Sequence, residues 1–108
     1  MNQKSLCPRF EKAMSILSQR WTGLIIYQLL SGGPQRFSTI ESAINISGRV
    51  LSERLKELEQ EGIVKREVYP ETPVRIEYSL TDKGRALEPI LKTIEKWGQD
   101  WLPVMEEK

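Results

Sequence analysis

The strongest candidate for chemistry is a single thiol, Cys7, in the stretch SLCPRF near the start of the 108-residue chain. Pro8 follows it and suits the first position of a helix, where the missing N–H is not needed. Cys7 would then be the N-cap, where the amide groups and the helix dipole favour a thiolate, with Lys4 and Arg9 close in sequence. A lone cysteine is more often a small hydrophobic residue, and burial or Glu11 would oppose reactivity. The placement predicts a candidate redox-sensing thiol.

Other chemistry has few candidates. The sequence contains no histidine, so a Ser-His pair or a His-containing metal site is excluded, and one cysteine cannot build a thiolate zinc site. The stretch Gly32-Gly33-Pro34 lacks the flanking strand and the lysine of a phosphate-binding loop. We therefore expect no enzyme activity, no catalytic residue, no metal and no cofactor.

A binding surface is predicted on the helix of ISGRVLSERLKELEQEGIV, with Ser47 as its N-cap and Gly62 as its stop. An apolar stripe would hold this helix to the core and leave its opposite face free to enter the major groove of DNA. Small residues there would let the backbone approach phosphates, and two cations would bind phosphates or a base edge. The predicted contacts are Ser47, Gly48, Arg49, Ser52 and Lys56. An ordinary amphipathic surface helix is the alternative, and this helix alone does not decide between them.

The remaining elements would position this helix. Apolar periodicity predicts a first helix over 8–19 and a third in QRFSTIESAIN. The second helix, in RWTGLIIYQLLSGG, is apolar nearly all round and is expected to be the buried central helix. IVKREVY and VRIEYSL, joined by PETP, predict a β-hairpin with one buried face, and Thr81-Asp82 would cap one last long helix. This order predicts a mainly α fold with a small β-hairpin (α+β), a winged helix-turn-helix with an extra helix at each end.

The hairpin would serve as the wing. Arg75 lies near its tip, with Lys65 and Arg66 on the partner strand, and could enter or skirt the minor groove, although Glu71 at the tip would face phosphates unfavourably. Residues 1–58 carry a balance of +4 and residues 59–108 one of −3, within a net charge of +1. Further contacts with the DNA backbone are predicted for Arg36, Ser38 and Thr39.

The last helix predicts a partner. Its apolar stripe from Leu87 to Trp101 is longer than a domain of this size would cover with its own hairpin and helices. We therefore expect the stripe to pack on the first helix of a two-fold-related chain. The predicted interface residues are Phe10, Met14, Ile90, Ile94, Trp97 and Trp101; an intramolecular core is the alternative. A dimer would set two recognition helices about one turn of DNA apart, which predicts a palindromic operator.

The whole chain, 1–108, is expected to form one domain, with about 36–80 as the DNA-binding core and helix 1 plus about 82–104 for dimerisation. No run approaches the roughly 18 apolar residues of a membrane span, so we expect a cytoplasmic protein with no membrane partner.

These motifs together resemble the HxlR family of bacterial winged-helix regulators. The resemblance covers CPRFEKAMSILSQRWTGLIIYQLLSGGPQRF and ISGRVLSERLKELEQEGIVKREVYPETPVRIEYSLTDKG, and within the family it is strongest to the YodB and CatR branch of thiol-based quinone and diamide sensors. It implies a homodimeric repressor that leaves its operator when Cys7 is oxidised or alkylated, releasing genes for quinone detoxification. It also implies a recognition helix over 47–61 and a wing over 68–76.

The chain departs from the family pattern in two places. It has Ser18-Gln19-Arg20-Trp21 where many members have Gly before the basic-Trp pair, and it lacks the additional cysteines that some relatives carry. Cys7 could therefore form an adduct or a bridge to the partner's Cys7, which needs the two Cα atoms within roughly 7 Å. Two other interpretations stay open: a regulator that answers a non-covalent ligand, and a protein-binding adaptor that does not bind DNA.

Overall fold

The computed structural model describes residues 7–104, which contain six helices and one two-stranded sheet. The elements are α1 (Pro8–Leu17), α2 (Thr22–Gly32), α3 (Phe37–Ile44), α4 (Gly48–Gln60), β1 (Val64–Tyr69), β2 (Arg75–Leu80), α5 (Asp82–Arg85) and α6 (Glu88–Trp101). This order confirms the winged helix-turn-helix and its α+β class, except that the last helix is divided. Among the described residues, no helix has the length and apolar character needed to cross a membrane.

One core joins α2, α3, α4 and the base of the hairpin. Its fully buried side chains are Ile25, Ile26, Ile40, Leu51, Leu55 and Leu58. As expected, α2 is the central helix and contacts α1, α3, α6 and β2. Its burial is less than expected, because only Thr22, Ile25, Ile26 and Leu29 are buried while Leu24 is 56% exposed. The other face of α2 borders a groove that the chain leaves open.

Both predicted ends of α4 are confirmed. The Ser47 hydroxyl accepts a hydrogen bond from the Val50 amide at 3.3 Å. Beyond the last turn, Gly62 has φ +75, the left-handed conformation that favours glycine. Between these ends, Leu51, Leu55 and Leu58 face the core, so the helix presents the opposite side to solvent.

The hairpin is antiparallel, with Val64 paired to Leu80 at its base and Tyr69 to Arg75 near its tip. Gln35 forms an isolated antiparallel bridge to β2, in which its backbone exchanges two hydrogen bonds with that of Tyr78, at 2.7 and 2.9 Å. The predicted alternation of buried and exposed residues in β2 was wrong, since every residue before Leu80 is half-buried. The hairpin packs against the core through Val64 and Leu80 at its base and through Tyr78 on β2.

The predicted last helix is broken between α5 and α6. Thr81 caps α5 by accepting a hydrogen bond from the Gly84 amide at 3.1 Å, as its sequence indicates. Pro89 explains the break, because it lacks the N–H that would bond to the Arg85 carbonyl and its ring would crowd that group. Leu91 is buried, whereas Ile90, Ile94, Trp97 and Trp101 remain exposed.

Candidate nucleic-acid interface and thiol site

The outer face of α4 carries the side chains that the sequence analysis predicts to contact DNA. Ser47, Arg49, Ser52 and Lys56 are exposed and Gly48 is half-buried, so this face is accessible. The Arg49 side chain is 82% exposed and lies 3.5 Å from Glu53 in a solvated i,i+4 pair. Such a pair contributes little and is screened by salt, which leaves the guanidinium able to exchange partners.

The helix before it completes the helix-turn-helix. The turn between α3 and α4 passes through Asn45, which has φ +57, and Ile46, which is buried. The start of α3 is exposed at Arg36, Ser38 and Thr39, as contact with the DNA backbone requires. DNA contact by these residues stays a prediction.

Arg75 has a different setting from the one its sequence position suggested. Instead of standing free near the wing tip, its guanidinium donates to Glu71 at 2.7 and 3.2 Å and to Glu77 at 2.7 Å. It also lies over the Tyr69 ring, 3.9 Å from the centroid. The hydrogen bonds to Glu71, and to a smaller extent those to Glu77, raise the pKa of Arg75. In turn, the hydrogen bonds that Arg75 donates hold the pKa of Glu71 below its usual value. The charge of Arg75 is therefore compensated within the hairpin.

Other cations on the hairpin are accessible. Lys65 and Arg66 on β1 are exposed, as is Glu67 beside them. The wing therefore presents cations and carboxylates together, and its tip is less basic than the outer face of α4.

Cys7 has the predicted position. It is the N-cap of α1, its backbone is extended, and Pro8 follows at the first helical position. Its carbonyl accepts a hydrogen bond from the Glu11 amide at 3.0 Å, and its side chain is exposed with no capping hydrogen bond. Lys4, the cation expected nearby, lies outside the described residues. Solvent can reach the thiol, which contradicts the alternative of a buried small hydrophobic residue.

The predicted interface residues are all exposed apolar side chains, two on α1 and four on α6. Their exposed fractions run from 44% at Met14 to 73% at Trp101, and the set is Phe10, Met14, Ile90, Ile94, Trp97 and Trp101. The alternative that they form an intramolecular core was therefore wrong for these six residues. Beside them lies an open apolar groove of about 540 Å³, lined by Leu17, Trp21, Gly23, Leu24, Tyr27, Leu91, Ile94 and Glu95.

Arg54 is a structural residue that the sequence reasoning missed. Its Nε donates to the Arg20 carbonyl at 3.0 Å, and its side chain is only 18% exposed. A signal was present in the sequence: Arg54 follows Leu51 by three residues and precedes Leu58 by four, so it lies on the inward side of α4. Among residues 7–104, no cluster of three or more His, Cys, Asp or Glu side chains could hold a metal.

Comparison with known proteins agrees with this geometry. The HxlR-like helix-turn-helix family matches residues 16–106. YvaP, an HTH-type transcriptional regulator of Bacillus subtilis, is 70% identical over 103 residues, which cover 94% of each chain. YodB, a second regulator of this organism, is 48% identical over 98 residues, covering 90% of this chain and 87% of YodB.

Solved structures of YodB from B. subtilis share the fold. The reduced form matches with a TM-score of 0.81 and 46% identity, covering 94% of this chain and all of that one. The quinone-bound form matches with a TM-score of 0.77 and 43% identity, covering 89% of this chain and all of that one. The relatives are named as transcriptional regulators, so this chain is a regulator and not an enzyme, and its sequence and fold show that it belongs to the HxlR-like helix-turn-helix family.

Proposed function

We propose that the protein is a homodimeric repressor that binds a palindromic DNA operator and releases it when Cys7 is oxidised or alkylated by quinones or other electrophiles. The observation that carries the proposal is the exposed thiol at the N-cap of α1, in a chain whose α4 presents an accessible Arg49 and Lys56. Release would permit expression of genes for quinone detoxification. Because the proposed operator is DNA, the proposed site of action is the cytoplasm.

DNA contact is proposed for residues of about 36–80. In this arrangement α4 lies in the major groove with its N-terminal turn toward the bases, and the hairpin lies beside the minor groove. Arg36, Ser38 and Thr39 contact the backbone, and Arg75 joins the interface once it leaves Glu71. The proposed contacts on α4 are Ser47, Gly48, Arg49, Ser52 and Lys56.

Dimerisation is proposed for helix 1 and residues of about 82–104. The exposed apolar side chains of α1 and α6 support this, since two tryptophans and two isoleucines exposed along α6 alone are unusual in a monomer. A two-fold axis through these side chains would bring two α4 helices to one face of the dimer, with a spacing near one turn of DNA.

The proposed chemistry at Cys7 begins with its thiolate. With a quinone, the Sγ lone pair forms a C–S bond to a ring C=C carbon, and the π pair of that bond moves through the ring to a carbonyl oxygen, which takes one proton from water. The hydrogen on the attacked carbon then transfers as a proton to the second oxygen, which leaves the aromatic hydroquinone thioether. With diamide, Sγ adds to the N=N bond, and a second thiol then displaces the reduced hydrazine to leave a disulfide. YodB has been solved in quinone-bound and diamide-treated forms, which supports both reactions here through family resemblance.

The second thiol of the diamide reaction is either a small cellular thiol or the partner's Cys7, because the sequence carries one cysteine. We favour the small-thiol adduct. A bridge between subunits would need two Cα atoms within roughly 7 Å across the dimer axis. Non-reducing electrophoresis after diamide treatment separates the outcomes, since only the bridge doubles the mass.

The test is a mobility-shift assay on the DNA upstream of the protein's own gene. Wild type and Cys7→Ser should both bind in reducing buffer, and benzoquinone or diamide should release the wild type alone. Failure of the reduced wild type to bind would contradict the DNA-binding proposal. Equal release of both proteins would show that Cys7 is not the sensor.

Equal release would favour a second candidate, a regulator that answers a non-covalent ligand. The open groove between α1, α2 and α6 supports this alternative, because its lining is mostly apolar and adjoins the proposed dimer surface. The third interpretation, an adaptor that binds protein and not DNA, would be favoured if Arg49→Glu left promoter binding unchanged at physiological salt.

A further inference from the structure

The junction between α1 and α2 contains a strained residue. Trp21 has φ +81 and ψ −20, in the left-handed region that is unfavourable for a bulky side chain. Its carbonyl nevertheless accepts the first hydrogen bond of α2, from the Ile25 amide at 2.9 Å. A conformation of this kind persists only where neighbouring groups enforce it.

Arg54 is one of the groups that enforce it. Its Nε donates to the Arg20 carbonyl at 3.0 Å, and this carbonyl belongs to the peptide unit that directly precedes the Trp21 Cα. Holding that carbonyl restricts the rotation of the peptide unit that defines φ of Trp21. The Arg20 guanidinium lies over the Trp21 ring, 4.9 Å from the centroid, and adds a second restraint.

The Arg54 side chain is itself held in place. It is 18% exposed, and its Nη1 lies 3.6 Å from Glu57 and 4.0 Å from Glu53, both on α4. These two carboxylates are about half exposed and lie close enough to compensate its charge. Arg54 is therefore built into the contact between α4 and the α1–α2 junction and is not presented to a phosphate.

A second contact joins the same two parts of the chain. Lys12, in the middle of α1, lies 3.2 Å from Glu61, the C-cap residue of α4. This pair is more exposed than the half-buried Arg54, so Arg54 should contribute more to the contact between α4 and the α1–α2 junction.

We propose that Arg54 is a positioning residue that sets the orientation of α4 by locking the Arg20–Trp21 peptide unit at the α1–α2 junction. The inference rests on the proposed role of α4 in DNA recognition. Since Cys7 is the N-cap of α1, the same hydrogen bond connects the junction that follows this helix to the helix that carries Arg49.

The first test separates positioning from contact with phosphate. Arg54→Met should weaken binding to the promoter fragment about tenfold, because a smaller fraction of the protein holds α4 in the binding orientation. The slope of log affinity against log salt should stay unchanged. In the matched control Lys56→Met, the lost phosphate contact should reduce that slope by about 0.9. Unchanged affinity in Arg54→Met, or the same loss of slope as in Lys56→Met, would overturn the proposal.

The second test needs no DNA. Glycine adopts positive φ without strain, so in a Trp21→Gly background the junction no longer depends on being held. Denaturant unfolding of wild type, Arg54→Met, Trp21→Gly and the double variant should show that Arg54→Met destabilises the wild type more than it destabilises the Trp21→Gly variant. Equal destabilisation would refute the link. If Arg54→Met does not fold, Arg54→Lys, which keeps the charge and loses the Nε donor, replaces it in both tests.

The two tests also distinguish the inference from the proposed function. If reduced wild type does not bind the promoter, DNA recognition by α4 fails, while the unfolding cycle still reports whether Arg54 holds Trp21. If wild type binds and Arg54→Met binds equally well, DNA recognition stands and the positioning role fails.

Discussion

The Arg75 guanidinium meets the Glu71 carboxylate in a two-point contact near the tip of the hairpin, with Nη2 to Oε2 at 2.7 Å and Nε to Oε1 at 3.2 Å. Arginine uses the same forked geometry to bind a phosphate or a guanine edge. Glu77 takes a third contact at 2.7 Å. In the free protein, the donors that a wing arginine would offer to DNA are therefore already occupied by carboxylates.

Removing the charge of Glu71 should strengthen DNA binding. In Glu71→Gln, Arg75 loses a charged partner and the tip loses a negative charge that opposes phosphates. We expect about threefold to tenfold higher affinity and a salt slope larger by about 0.9, equivalent to one more neutralised phosphate. Fluorescence anisotropy on the promoter fragment over a series of salt concentrations measures both quantities.

The control for Glu71→Gln is Asp100→Asn, which breaks the i,i+4 pair between Lys96 and Asp100 on α6, outside the proposed DNA-binding core. That variant should leave affinity and slope unchanged. If Glu71→Gln binds no better than wild type, then Arg75 does not contact DNA and its ion pairs serve only the hairpin.

The same contact predicts a pH dependence of the hairpin. Hydrogen bonds from Arg75 lower the pKa of Glu71 from its ordinary value of 4.5. Because the folded-state pKa is the lower one, the stabilisation is present above 4.5 and is lost as pH falls through the lowered value. Carboxyl NMR titration should find Glu71 below the ordinary value in the wild type and near it in Arg75→Met. A normal pKa in both proteins would mean that the contact is absent in solution.

Reversing the charge of Arg49 should remove most DNA binding. Its side chain is 82% exposed at the first turn of α4, so Arg49→Glu replaces a cation facing phosphates or a base edge by an anion. We expect at least about tenfold weaker binding at physiological salt. The same reversal in Lys96→Glu, on α6, should have little effect. Equal losses in both variants would indicate a response to overall charge instead of a site.

Much of this fold could be predicted from sequence, because local chemistry determines where several elements begin and end. Ser47 and Thr81 accept hydrogen bonds from the first turns of their helices, and Gly62 takes the left-handed conformation after α4. The N-cap position of Cys7 followed in the same way from Pro8. In each case, residues within three positions decide the outcome.

The features that could not be predicted from the sequence depend on contacts between residues that are distant along the chain. Nothing near Arg54 indicates that its Nε meets the carbonyl of Arg20, 34 residues earlier. Likewise, the charge of Arg75 was visible in the sequence, but its compensation depends on how the loop folds Glu71 back onto it. The break before α6 was readable from Pro89, yet the continuous apolar stripe suggested one helix.

The apolar surface of α1 and α6 should control assembly. Trp97, which is 57% exposed, lies between Ile94 and Trp101 along α6, so Trp97→Glu should give a monomer by sedimentation analysis while retaining its helical circular dichroism. Affinity for the palindromic site should fall, because each subunit then binds one half-site alone. Gln99→Glu, an exposed position two residues away on α6, is the control and should remain dimeric. A monomeric wild type would contradict the dimer proposal directly.

Two glycines should respond in opposite directions to alanine. Gly84 in α5 is buried, and a Cβ there would collide with the Ile63 carbonyl and the Leu80 side chain. Backbone cannot move aside cheaply, so Gly84→Ala should lower the free energy of unfolding by about 1–3 kcal/mol. Gly23, in the first turn of α2, has open space around its Cβ position, and Gly23→Ala should raise stability by up to about 1 kcal/mol. Denaturant unfolding measures both changes, and a neutral Gly84→Ala would mean that α5 does not pack closely on the turn before β1.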